Sequence, residues 1–201
     1  MSENLNDYLS TARDFLIVGE KRNAYTHYAK VSLDSDQQNA EAEVFASYLA
    51  YLNLLEEHDG ASAVNAFKSM TTHLKDAVQD IKESELGDAG KRMVIKELVE
   101  AYTPITRFLF TKRISTTSST IETGVLGLYG LGNAIESEFD SDVEMMKVAA
   151  VAWKEAVSLQ RQFYAYKYNG VTPEEYVAKI QKIEPTYTMP KKAGCISIGD
   201  K

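Results

Sequence analysis

The chain reads as all-α, with about eight helices and essentially no sheet. Three observations predict this. Apolar residues recur at three-and-four spacing along most of the length, and three hydroxyl residues are each followed three places on by a glutamate. An alternating strand pattern is confined to Cys195 to Ile198.

The first helix carries Leu5, Tyr8, Leu9, Ala12, Phe15 and Leu16 on one stripe, and Gly19 breaks it. A second stripe follows at Ala24, Tyr28 and Val31. The polar run from Leu33 through Asp34, Ser35, Asp36, Gln37 and Gln38 to Asn39 is a connector. Asn39 is placed to cap a third helix bearing Ala42, Phe45, Ala46, Leu49, Leu52 and Leu55, which His58-Asp59-Gly60 ends. The fourth carries Ala63, Phe67, Met70, Leu74, Ala77 and Ile81, up to the break at Gly87 and Gly90. The fifth, with Met93, Leu98, Ala101, Ile105 and Phe108, runs to about Arg113 and is expected to kink near Pro104, which lacks an N-H. Three capping boxes open the remainder: Ser119 to Glu122, Ser141 to Glu144, and Thr172 to Glu175, the last with Pro173 at the first helical position. These helices are expected to end near Asp140, Asn169-Gly170 and Glu184-Pro185. The division expected is helical hairpins over 1–86, longer antiparallel helices over 87–185, and a flexible tail over 186–201.

The 201 residues are 44% hydrophobic and 25% charged, too apolar for a disordered chain. A formal net charge of -7 argues against a broad nucleic-acid-binding face. One cysteine, Cys195, excludes an internal disulfide or a Cys-rich zinc site. The start Met1-Ser2-Glu3-Asn4-Leu5 has neither the basic segment nor the apolar core of a secretion signal. The most apolar stretch, Ile121 to Ile135, is shorter than the roughly 20 residues needed to span a bilayer. The expectation is a cytoplasmic protein with no membrane and no nucleic-acid partner.

Tyr8, Ala12, Phe15, Ala24, Tyr28 and Val31 follow an order that resembles the tetratricopeptide repeat, in which small residues let paired helices approach and aromatics fill the gap to the next pair. Thr11 and Asp36 depart from the leucine and proline that the pattern prefers. A shift by one repeat places Ala42, Ala46 and Leu49 in register, and five inserted residues restore Ala63, Phe67 and Met70. The likeness covers about the first 85 residues. Two amphipathic hairpins in a bundle would read the same way. At the other end, Ile183 to Tyr187 followed by Pro190 to Cys195 resembles a junction in uncharacterised bacterial repeat-containing proteins, which implies a bacterial source.

No motif calls for a metal or another cofactor. His27, His58 and His73 lack the paired spacing of zinc ligands, and the acids flanking His58 (Glu56, Glu57 and Asp59) read as solvated charge. Asp140, Asp142 and Glu144 lack the glycine and distant glutamate of a calcium loop and suit a helix start. Gly124, Gly127, Gly130 and Gly132 lack the companions of a phosphate or dinucleotide loop; a close-packing face through Gly124, Gly127 and Gly130 accounts for them, with a ligand groove as the alternative. Arg161, Phe163, Tyr164, Tyr166, Lys167 and Tyr168 could form a stacking platform, but a helix that also carries Trp153, Ala156 and Leu159 makes several of the rings core, with tyrosine hydroxyls reaching the surface. Lys112 and Arg113 complement a helix end. Cys195, on a tail, is an incidental thiol.

The function these readings point to is a non-catalytic protein-interaction or scaffold module with a protein or peptide partner. The repeat resemblance implies a concave surface lined by Asn6, Leu9, Arg13 and Leu16, then Glu43, Ser47 and Ala50. Arg13 alone does not make a basic clamp for a peptide carboxylate. The competing reading is a small-molecule binding protein or enzyme, with a pocket between the Gly124 to Gly132 helix and the Trp153 to Tyr168 helix. A purely homo-oligomeric packing role is a third.

Overall fold

A computed structural model describes residues 5–33, 39–57, 59–111, 118–163 and 168–193. Along them run eight helices with no strand between: α1 (Leu5–Ile17), α2 (Lys21–Ser32), α3 (Ala40–Glu56), α4 (Gly60–Glu83), α5 (Asp88–Thr111), α6 (Ser118–Phe139), α7 (Val143–Gln162) and α8 (Pro173–Ile183). None of these is long and apolar enough to cross a membrane. The connector residues 34–38, His58, Lys112, Arg113, Tyr164, Tyr166, Lys167 and Cys195 to Ile198 lie outside the described residues.

Local chemistry sets most of the ends. Gly19, at φ +81°, allows the amides of Gly19 and Glu20 to fold back onto the carbonyls of Leu16 and Phe15, closing α1 with the paired bonds of a Schellman turn. Asn39 caps α3 by accepting from the Ala42 amide, and Asp59 caps α4 by accepting from the Ser62 amide. At α7 the cap is Asp142, one residue beyond the expected Ser141, because its carboxylate accepts from the amides of both Glu144 and Met145. Thr172 stands at the cap of α8 with Pro173 behind it, but its side chain makes no capping bond.

α5 runs through the exposed Pro104 to Thr111, close to the end expected. One boundary differs from the sequence reading. α7 ends at Gln162 rather than near Asn169. Asn169 and Gly170 instead both take left-handed backbone in a turn that brings the Val171 amide onto the Tyr168 carbonyl.

α1 packs on α2, α2 on α3, and α3 along the length of α4. α6 then joins the halves, lying on α4 on one side and α7 on the other, while α5 touches both groups and α8 closes over α7. Buried side chains from every helix form one cluster, from Ala12 and Tyr28 through Phe45, Phe67 and Leu98 to Leu128, Trp153 and Ile180. Each fully buried large apolar side chain in it contributes about 1.5–3 kcal/mol. Within the C-terminal stretch expected to be loose, residues 186–193 lie along α7: Tyr187 and Met189 pack on the core, the Arg161 guanidinium donates to the Pro190 carbonyl, and the Ala193 amide donates to the Arg161 carbonyl.

The glycines of α6 account for its dual contact: Gly127, on the face expected to pack, takes part in it, and so does Gly132, which the sequence reading does not place on that face. A Cβ at Gly127 would stand 2.2 Å from the Tyr102 hydroxyl and 2.8 Å from Thr71 Cγ2. One at Gly132 would stand 2.3 Å from Trp153 Nε1. Gly130, expected on the packing face, is exposed and has open space around it.

Gly132→Ala should therefore lower stability by about 1–3 kcal/mol through overpacking, and Gly127→Ala likewise, whereas Gly130→Ala should raise it by up to about 1 kcal/mol through helix propensity. Urea denaturation of the three variants separates these signs. A second expectation concerns pH. Asp142 is held below the ordinary carboxylate range: burial pushes it up, but the Arg92 guanidinium and the Met145 and Glu144 amides outweigh burial. Asp59 is held low by the Ser62 hydroxyl and amide. A carboxylate with a depressed folded pKa contributes stability above its unfolded value of about 3.9, and that contribution is lost as pH falls through the folded value. Asp142→Asn, which keeps the cap acceptor, should flatten the fall in urea midpoint between about pH 4 and pH 2.

Candidate functional site

A cleft of about 610 Å³ opens between the first helix and the end of the fourth. From α1 it takes Asn6, Leu9, Ser10, Arg13 and Asp14, a set spaced three, four, seven and eight residues from its first member and so presented on one helical face. From the last turn of α4 and the residues after it come Asp80, Glu83, Ser84, Glu85 and Leu86, and Asn39 closes the remaining side. Three of the residues anticipated for partner binding, Asn6, Leu9 and Arg13, thus share one cleft. The others stand elsewhere: Leu16 is buried in the core, Glu43 is half-buried on α3, and the Ser47 hydroxyl donates to Ser69 Oγ of α4 at 3.2 Å. Ala50 is exposed beyond them.

The charges of the cleft do not balance. Arg13, the only cation among its described lining residues, is committed to Glu41: Nε and Nη2 donate to the two carboxylate oxygens at 3.2 and 2.6 Å, and the Tyr28 hydroxyl donates to the same carboxylate. Glu41 and Tyr28 are fully buried. Burial lowers the Arg13 pKa, but the hydrogen bond and charge of Glu41 outweigh it and raise the guanidinium above its ordinary value. Burial first, and then the Glu41 charge, drives the Tyr28 phenol well above its usual range. The result is a locked triad behind the cleft wall, linking α1, α2 and α3.

Asp80 is also engaged, since its Oδ2 accepts from the Ala40 amide at 2.7 Å and so serves the open first turn of α3. Asp14, Glu83 and Glu85 remain exposed, and among the described residues no cation pairs with any of them. Glu83 accepts only from the Gln79 side chain. With Leu9 and Leu86 as its apolar members, the arrangement is a negative trough with a hydrophobic patch. It presents no paired nucleophile and base.

Other places singled out in the sequence are packed where they are described. At the junction of α6 and α7, the Trp153 ring lies against Gly132, Tyr129 and Tyr176 meet with centroids 4.0 Å apart, Tyr129 donates to Gln160, and Lys179 lies over the Trp153 ring. Along the described part of that junction, side chains of α6, α7 and α8 pack on one another. Tyr168 is buried and its hydroxyl donates to the Phe163 carbonyl, so the ring belongs to the core. His27 uses Nδ1 on the Asn23 carbonyl and packs beside Phe15. Among the described residues no group of three His, Cys, Asp or Glu side chains is placed to hold a metal ion.

Asp80, Glu83, Glu85 and Leu86 were not legible as site residues, because nothing local marks them and they meet α1 only through the fold. Glu41 reads from sequence as an ordinary first-turn acid; its burial follows from Arg13, 28 residues away. No family model matches the chain, nor does any curated protein or solved structure.

Arg13→Ala leaves the Glu41 carboxylate buried without its cation and should cost about 3–5 kcal/mol. The paired replacement Arg13→Met with Glu41→Gln should cost much less, because no net charge is then stranded. Chemical denaturation of both variants tests this.

Proposed function

We propose that the protein is a non-catalytic interaction module that receives a basic peptide segment of a partner protein in the cleft between α1 and α4. The observation that carries this reading is the charge imbalance there: the Arg13 guanidinium is bound to Glu41, while Asp14, Glu83 and Glu85 are exposed with no cation paired to them among the described residues. Carboxylates placed together around an apolar strip favour a ligand that alternates Lys or Arg with a hydrophobic anchor, and such complementarity speeds encounter as well as selecting the partner. Leu9 and Leu86 supply the strip.

The interpretation of α1–α2 and α3–α4 as tetratricopeptide-like hairpins belongs to this proposal. Its support is the pairing of those helices and the core positions of Ala12, Ala24, Tyr28, Ala42, Phe45, Ala63 and Phe67. The setting proposed is the reducing cytoplasm of a bacterium, for which a chain with one cysteine is suited.

Fluorescence anisotropy with a labelled peptide of alternating Lys, Arg and Leu should show binding that weakens steeply as salt is raised. Glu83→Gln with Glu85→Gln should weaken it tenfold or more, and a Glu-containing peptide of equal length should not bind. Equal binding of basic and neutral peptides would remove the basis of the reading.

A further inference from the structure

On the opposite side of the α4 C-terminus lies a second cavity of about 270 Å³, lined by Lys82, Asp88, Lys91, Arg92, Phe139, Ser141 and Asp142. In a chain of net charge -7 it gathers three cations against two carboxylates. The carboxylates are largely spent. Asp142 has one oxygen on the Glu144 and Met145 amides and the other on Arg92 Nε at 2.7 Å. Asp88 lies in the first turn of α5, where the positive end of the helix offsets its charge.

The cations, by contrast, keep donors in hand. Arg92 engages Asp142 through Nε, and its two terminal nitrogens have no partner among the described residues. Lys91 gives one N-H to the Lys82 carbonyl at 2.7 Å and retains two others. The Lys82 ammonium sits 4.6 Å above the centre of the Phe139 ring, which holds it at the cavity without consuming a hydrogen bond. The Ser141 hydroxyl makes no bond among the described residues. Donors from α4, α5 and the α6–α7 turn therefore surround one small volume, below the roughly 300–1,000 Å³ of sites for drug-sized ligands.

We infer that this cavity is a binding site for a phosphoryl group, supplied either by inorganic phosphate or by a small phosphate monoester. A tetrahedral dianion accepts on all its oxygens, which matches a set of convergent lysine, arginine and hydroxyl donors. Lys82 is the discriminating residue, since Lys91 and Arg92 also hydrogen-bond within the protein, to the Lys82 carbonyl and to Asp142. The site is separate from the acidic cleft and stands whether or not that cleft binds peptide.

The test is isothermal titration of the full chain with inorganic phosphate and, in parallel, glycerol phosphate, with sodium chloride at equal ionic strength as the blank. Saturable binding of phosphate is expected, weakened at least fivefold in Lys82→Gln and recovered in Lys82→Arg. Ser141→Ala, which breaks no bond in the free protein, should weaken it two- to fivefold, with melting curves confirming that each variant folds. Tighter binding of the monoester would assign the site to a phosphorylated metabolite, and equal binding to the free ion. Heats no larger than the chloride blank, or binding unchanged in Lys82→Gln, would overturn the inference.

Discussion

At Gly127 and Gly132, α6 comes so near to Tyr102 of α5 and Trp153 of α7 that one added methyl group would overlap them. The joining of the two halves of the chain depends on that approach. α6 lies on α4 and α7 at once, and each glycine admits a large ring where a side chain would hold the helices apart. The helix gives up about 1 kcal/mol of propensity at each glycine, and the rings packed over them recover it through buried area. Tyr102, stacked on Phe67 of α4 and hydrogen-bonded to Thr71, carries the contact onward into the first half of the molecule.

Buried carboxylates provide a second kind of tie, with directional demands that apolar packing lacks. Glu41 is held by Arg13 and Tyr28, Glu97 by Tyr25 and Lys21, and Glu155 by Arg107. Each sits on one helix and is satisfied from another, so a shift of one turn would leave a charge stranded in the interior. The triad at Glu41 also shapes the acidic cleft: it neutralises the one cation among the described lining residues by binding it from behind.

The C-terminal turn of α4 divides two surfaces of opposite character. Asp80, Glu83 and Ser84 face α1 across the cleft, whereas Lys82 points to the smaller cavity beside α5 and Phe139. The acidic surplus of the chain is thus only partly helix-end chemistry. Asp59, Asp80 and Asp142 serve helix N-termini, while Asp14, Glu83 and Glu85 line the cleft and are exposed.

By itself the sequence determined the helical class, the number of helices and most of their starts, because those rest on interactions within a turn or two. The Asn39 cap, the Gly19 stop and the apolar stripes need only neighbours along the chain. Even there, the choice of Asp142 over Ser141 turned on which side chain reaches two amides at once. Tertiary structure alone decided the rest. The Tyr25 to Glu97 bond spans 72 residues, and the cleft brings α1 to residues of α4 with no local signature. Which glycines of α6 pack, and which one faces solvent, depended on where Tyr102 and Trp153 came to lie. Periodicity marks a face as buried, but the partner of a buried charge is set by the approach of distant helices, and that approach is a property of the whole packed core.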